Sequence, residues 1–308
     1  MLFDEINNEL DQLKNRQLFR LRNNIQDINK ARVLIDGNWL LNFASNDYLG
    51  ISQNKIVRLS IINSLKKYGN GSGGSHLISG HFDPHNKLEI EAAKMIGLER
   101  SLFFSTGYMA NIAAVGSLCN RNSIVFSDKL NHASLNEAAI LSRAKLIRYN
   151  HLDLDHLETL IKSNLIKRKI IVTDGVFSMD GDIADIPGLV YLCEKYHATL
   201  YVDDAHGYGV LGSNGQGILE YYQDQGLISN ESRNLIIYMF TLGKSIGVSG
   251  AMLCAKKEVI EYCIQKSKPY IYTTAPPPYI ASGAMTSMYI IKKDVRLREK
   301  LKLLIELF

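Results

Sequence analysis

The sequence predicts an α/β protein with a mostly parallel central sheet and helices on both of its faces. Three observations lead there. Short apolar runs recur at 101–104, 123–126, 169–173, 198–202, 235–240 and 250–254. Stretches of helical periodicity lie between most of them, at 107–119, 132–143, 153–167 and 186–196. The runs are nearly continuous in apolar residues, the pattern of strands buried on both faces. In such sheets ligands bind where the carboxyl ends of the strands meet the following loops, so the chemistry is expected just after each run.

Taken in order, residues 3–24 place Phe3, Ile6, Leu10, Leu13, Leu18 and Leu21 at near-helical spacing and read as an amphipathic helix. The segment 32-RVLIDGNWLLNF-43 reads as a hairpin turning at Asp36-Gly37. Residues 55–68 read as a helix, followed by the glycine-rich turn 69-GNGSGGS-75 and a second helix over 84–97. The strand and helix alternation then runs until 276-PPPY-279 breaks it, and 279–307 reads as one or two further helices.

Composition narrows the class. The chain has 308 residues, 46% hydrophobic and 21% charged, which suits a soluble globular protein with one large core. A net charge of +4 with interspersed signs argues against a nucleic-acid tail or a polybasic membrane patch. Cys119, Cys193, Cys254 and Cys263 form no CxxC pair and are expected as reduced core thiols. The acidic, polar N-terminus is no secretory signal, and runs such as 235-LIIYMF-240 are too short to span a membrane, so the expected compartment is the cytoplasm.

Five stretches carry candidate chemistry. In 239-MFTLGKSIGVSG-250, Lys244 follows an apolar strand among small residues. A phosphate-binding P-loop needs a glycine five positions before Gly243, where Tyr238 stands. Two readings stay open: an exposed loop charge, or a desolvated amine able to form a Schiff base. In 198-ATLYVDDAHGYGVLG-212 a strand ends in Asp203-x-x-His206, spacing that a metal would accept, but no third ligand cluster lies nearby in sequence. A carboxylate there also suits a positively charged heteroaromatic ring. The run 69-GNGSGG-74 matches G-x-G-x-x-G by letters, yet it follows a helix-like segment, which argues against a dinucleotide site. The run 105-STGYMAN-111 opens a helix directly after a strand, suiting either a phosphate or an ordinary N-cap. Finally, 128-DKLNHASLNEA-138 puts His132 at a helix start. Together the strand ends at 104, 126, 173, 202 and 240 supply a helix N-terminus, a histidine, Ser178, an Asp-x-x-His and a lysine.

Six segments in order, 44-ASNDYLG-50, 71-GSGGSHLISG-80, 131-NHASLNEA-138, 176-VFSMDGD-182, 201-YVDDAHGYGVLG-212 and 241-TLGKSIGVSG-250, resemble the α-oxoamine synthases. These are pyridoxal-phosphate enzymes of the aminotransferase-like fold type I that condense an amino acid with an acyl-CoA and release CO2. The motifs look most like the branch that joins L-alanine to a pimeloyl thioester, on CoA or acyl-carrier protein, in biotin synthesis; the glycine-using branch is the runner-up. The resemblance implies pyridoxal 5'-phosphate held by Lys244, with Asp203 on the ring nitrogen, His206 on the phenolic oxygen and His132 stacked on the ring. It implies that Gly107, Tyr108, Ser178 and Thr241 also hold the cofactor, that Thr274 reaches it from the partner of a homodimer, and that Arg20 and Asn46 lie near the substrates. No metal is implied.

The implied organisation is an N-terminal segment 1–50, a large cofactor-binding domain 51–278, and 279–308 as the start of an incomplete C-terminal subdomain. Two departures from the family follow. Asp174-Gly175 stands where a longer acid is usual, and the family continues past Phe308 into a small subdomain that supplies a carboxylate-binding arginine. The second departure raises the alternative expectation of a truncated, inactive cofactor-binding remnant.

Overall fold

The computed structural model describes residues 1–308, which form two compact units, Met1–Ser45 and Asn46–Phe308. The first unit holds α1 (Leu2–Asn15) and a three-stranded antiparallel sheet of β1 (Asp27–Asn29), β2 (Arg32–Ile35) and β3 (Asn38–Leu41). Ile35 pairs with Asn38, leaving Asp36-Gly37 as a two-residue turn with both φ values positive, as such hairpins require. The helix expected over 3–24 stops at Asn15. No residue of α1 is buried, so it rests on propensity, a capping box at Met1 and Asp4 and the Lys14–Asp11 pair, and Gln17 turns left-handed at φ 57.

The second unit begins with α2 (Lys55–Tyr68) and α3 (Asp83–Ile96). Then follow β4 (Arg100–Phe104), α4 (Gly107–Leu118), β5 (Ser123–Asp128), α5 (Ala133–Ser142), β6 (Lys145–Tyr149), α6 (Leu154–Lys162), β7 (Arg168–Asp174), α7 (Ile186–Tyr196) and β8 (Thr199–Asp203). The chain continues through α8 (Ile218–Asp224), β9 (Ile236–Thr241), β10 (Ala251–Ala255), α9 (Lys257–Lys266) and α10 (Lys268–Ile271), and ends in α11 (Pro278–Lys293) and α12 (Arg296–Leu307). The seven-stranded sheet has the order β4-β10-β9-β8-β7-β5-β6, and β10 alone runs against its neighbours.

The sheet separates two apolar layers because successive side chains of a strand point to opposite faces. Ile124, Phe126, Leu200, Val202, Tyr238 and Phe240 pack with α3, α6, α7 and α11 on one face. Val125, Tyr201, Ile237 and Met239 pack with α4, α5 and α9 on the other. Every central strand position is therefore consumed by packing, and only the strand ends can present polar chemistry. The sequence pattern missed β6. As an edge strand it pairs only with β5, and exposed Lys145 and Arg148 interrupt the apolar residues of its KLIRY so that they form no continuous run.

All four cysteines are free and buried. No helix is long and apolar enough to cross a membrane. The glycine-rich stretch after α2 serves close packing: Ala275 N donates to Gly74 O at 2.9 Å, and Ser72 Oγ and His85 Nε2 both donate to Pro276 O. A Cβ on Gly80 would lie 2.0 Å from Gly74 O, so that approach demands glycine.

Glu89 on α3 accepts the Phe103 N–H at 3.0 Å, and burial pushes its carboxyl up to about 8. A folded-state pKa above the unfolded one means the fold prefers the protonated acid, so stability is lost as pH rises through about 8. Glu89→Gln keeps the acceptor and has no proton to lose. Its melting temperature should fall less than that of the wild type between about pH 6 and about pH 9 in scanning fluorimetry; equal falls would refute this account.

Candidate active site

Five strand ends converge on one cleft. It has an empty volume of about 540 Å³ and is lined by Gly107, Tyr108, Asn111, His132, Ser134, Asp174, Asp203, Ala205, His206, Met239, Thr241 and Lys244. Each strand of the group ends where its last backbone bonds do, and the next few residues turn into the cleft. Gly107 and Tyr108 open α4 after β4, capped by Thr106 Oγ1 accepting from Met109 N at 3.1 Å. His132 caps α5, Asp174 ends β7 and Asp203 ends β8. Lys244 lies in the return from β9 to β10, a loop closed by Leu242 N to Gly250 O, Val248 N to Leu242 O and Gly247 N to Lys244 O.

The polar groups are wired to one another. Asn111 uses both of its donors: its Nδ2 donates to Asp203 Oδ2 at 2.7 Å and to Ser134 Oγ at 2.8 Å, and its Oδ1 accepts from Tyr201 at 2.7 Å. Ser134 Oγ lies 2.7 Å from His132 Nδ1, which also accepts from Ser134 N, so the His132 proton sits on Nε2. Asp203 Oδ1 accepts from Ala205 N at 3.1 Å. Asp174 Oδ2 accepts from His132 N at 3.1 Å, while its Oδ1 is buried with no protein partner. Lys244 Nζ lies 2.6 Å from His206 Nε2.

Burial sets the protonation of this group. It pushes the Lys244 ammonium below its ordinary value, against the pull of Asp203, Asp174 and Asp204. It raises Asp203, against the bonds from Asn111 and the charge of Lys244, and raises Asp174 to about 8 with Asp203 adding to the effect. His206 falls to about 4 through burial and then the Lys244 charge, and so is neutral at neutral pH. Lys244 is thus half-buried in the cleft lining and is not an exposed loop charge.

Ser178, exposed in the 176–182 hairpin, and Thr274, exposed beside the Pro-rich segment, do not line the cleft. Asn46 is exposed and joins the site through Tyr48. Arg20 is exposed in the N-terminal unit. Asn111, Ser134 and Tyr48 were not singled out from sequence. Asn111 and Ser134 do sit inside the two motifs 105–111 and 128–138, one helical turn beyond Gly107 and two residues after His132.

Residues 39–308 match the aminotransferase class I and II family. The 8-amino-7-oxononanoate synthase of Nitrosomonas eutropha is 48% identical over 297 residues, spanning 96% of this chain and 76% of the relative. The chain belongs to this family. The Methylobacillus flagellatus 8-amino-7-oxononanoate synthase is 45% identical over 304 residues, 99% of this chain and 75% of the relative. Among solved structures, serine palmitoyltransferase from S. paucimobilis with a bound PLP–myriocin aldimine superposes with a TM-score of 0.87 at 27% identity, covering 97% of this chain and 74% of that one. The 8-amino-7-oxononanoate synthase of Francisella tularensis gives 0.72 at 35% identity, covering 84% and 71%.

The residues present fit pyridoxal phosphate. The cleft joins a desolvated amine, a buried carboxylate, an orphaned acceptor on Asp174 and the first N–H groups of a helix, which have no intrahelical acceptor. The frame behind the cleft depends on Asp204. Its Oδ2 accepts from Ile218 N at 2.8 Å and from the Tyr238 hydroxyl, and burial raises its carboxyl to about 7. Gly217, at φ +87, lets the chain pass: a Cβ there would lie 2.0 Å from Asp204 Oδ2. Gly217→Ala should therefore destabilise the protein by at least about 2 kcal/mol in urea unfolding, far more than the few tenths typical of a surface change.

Proposed function

We propose that this chain condenses L-alanine with a pimeloyl thioester to give 8-amino-7-oxononanoate, CO2 and the free thiol, with pyridoxal 5'-phosphate as cofactor. The reading is carried by one cleft that gathers an amine, a carboxylate and two histidines from the strand ends of a chain 48% identical to a synthase of that name. Bound pyridoxal phosphate supplies an aldehyde that takes up the amino group and a protonated ring that draws electrons from the substrate α-carbon.

The side chains divide the remaining work. Lys244 holds the cofactor between turnovers, and its amine, kept nucleophilic by burial, takes the α-proton of the substrate. Asp203 keeps the ring nitrogen protonated; the donors Asn111 and Ala205 favour its ionised form where burial alone would neutralise it. His132 covers the ring face with its proton fixed on Nε2, and His206 binds the ring oxygen. Gly107 and Tyr108 N–H groups and Thr241, which line the cleft, hold the cofactor; Ser178, expected with them from sequence, lies outside that lining. Asn46 and Arg20 serve the substrates.

The same reading makes the protein a cytoplasmic homodimer, with the partner subunit's Thr274 completing the phosphate site. Four buried free thiols suit a reducing compartment, and Thr274 is exposed on its own chain. A monomer in sedimentation velocity would remove the dimer from this reading.

The deciding assay loads the protein with cofactor and follows thiol and CO2 release from L-alanine with pimeloyl-CoA, beside glycine with acetyl-CoA. Release only with the second pair would overturn the substrate choice. Lys244→Ala should lose the visible absorbance and about three orders of magnitude or more in turnover, and borohydride should leave a pyridoxyl group at position 244 only in the wild type. Asp203→Asn should still bind cofactor and lose at least about 100-fold in kcat; unchanged kcat would exclude it as the ring partner.

A further inference from the structure

The hydroxyl of Tyr48 lies 2.6 Å from His206 Nδ1 and 3.1 Å from Asn46 Oδ1, and the opposite nitrogen of the same ring lies 2.6 Å from Lys244 Nζ. Lys244, His206, Tyr48 and Asn46 thus form one unbroken chain from the bottom of the cleft to an exposed side chain. Tyr48 itself is half-buried. A hydroxyl has one proton, and a neutral imidazole has one. Two arrangements are possible: the first satisfies every link, and the second gives up the bond from Tyr48 to Asn46 Oδ1. In the first, the Lys244 ammonium donates to His206 Nε2, His206 Nδ1–H donates to the Tyr48 oxygen, and Tyr48 O–H donates to Asn46 Oδ1. In the second, Tyr48 O–H donates to His206 Nδ1, and His206 Nε2–H donates to the neutral Lys244 amine or to any acceptor beside it in the cleft.

We propose that Tyr48 is a positioning residue that couples the charge of Lys244 to the tautomer of His206 and passes the lysine's proton to solvent. The step balances. One proton moves from Lys244 Nζ to His206 Nε2, the Nδ1 proton moves to the Tyr48 oxygen, and the former Tyr48 proton leaves to water beside Asn46. Lysine ends as a neutral amine, the ring and the hydroxyl each keep one proton, and one proton reaches solvent. The geometry offers such a route because the half-buried Lys244 has His206 Nε2 as its hydrogen-bond partner, and an ammonium cannot attack a carbonyl until its proton has a way out. The same event turns His206 from an acceptor into a donor aimed into the cleft. This rests on the reading that Lys244 carries the cofactor aldehyde. The charged and titratable groups facing the relay are Asp203, Asp174 and Asp204 toward Lys244, and His132 toward His206.

The test uses apo protein labelled with 15N in histidine, with His206 assigned from a His206→Asn variant. In the wild type the protonated and unprotonated 15N signals of His206 should exchange places across the pH range in which Lys244 becomes reactive toward cyanate, read by peptide mass spectrometry. Tyr48→Phe keeps the ring and its packing; it should abolish the exchange and slow carbamylation of Lys244 by about tenfold near neutral pH. Asn46→Ala removes the acceptor of the first arrangement but leaves the hydroxyl, so it should retain the exchange and move it to lower pH. A wild type without the exchange, or a Tyr48→Phe protein that matches the wild type in both measurements, overturns the proposal. Borohydride trapping on the wild type separates the two layers. An adduct at Lys244 without the tautomer exchange removes the relay alone, whereas no adduct removes the reading beneath it.

Discussion

An amine partly withdrawn from water next to carboxylates is the constraint on which the rest depends. Lys244 is half-buried, bonded to His206, and lies within the field of Asp203, Asp174 and Asp204. Burial favours the neutral amine, and the carboxylates favour the charged one. Neither effect could be tuned on a surface loop, where water would screen the charges and solvate the ammonium. The sheet makes the tuning possible. Its two apolar layers take up most of the strand side chains, and five strand ends aim polar groups into one cleft.

The order of the strands decides which ends meet. Because β10 runs against β9, the loop that carries Lys244 returns at once over the cleft instead of leaving through a crossover helix. That loop is tight: Gly247 adopts φ +71, and a Cβ there would lie 2.4 Å from Ser52 N. The loop is thereby packed at Gly247 against the 3-10 turn at Ile51–Gln53, which follows Tyr48 by three residues. Contact between that turn and the loop keeps Tyr48 and Lys244 on opposite sides of His206.

Polar wiring on the far side is as dense. Tyr201 orients Asn111, Asn111 orients Asp203 and Ser134, and Ser134 fixes the proton of His132. Tyr201 points to the face of the sheet opposite the one filled by Leu200 and Val202, so one strand contributes to a core layer, to the support of a carboxylate and, at its end, to the carboxylate itself. Asp204 directs its own carboxylate away from this network toward Tyr238 and Ile218, which explains why two adjacent aspartates have separate tasks.

The sequence alone determined the alternation of buried strands and helices, and therefore a cleft at the strand ends with Lys244, Asp203, His206, His132 and the start of α4 as its candidates. Periodicity and motif spacing are local properties, and these residues sit immediately after local strand signals. Edge strand β6 escaped because it has one neighbour and two charged side chains, Lys145 and Arg148, in solvent. Tertiary structure alone decided whether Lys244 was a surface charge or a buried amine, since desolvation depends on what other segments cover it. It also decided that Tyr48, 158 positions from His206, would touch that ring, that Asn111 would reach Asp203 across 92, and that an acceptor of Asp174 would be left unpaired. Contacts of that separation exist only after the chain has folded, and no periodicity records them.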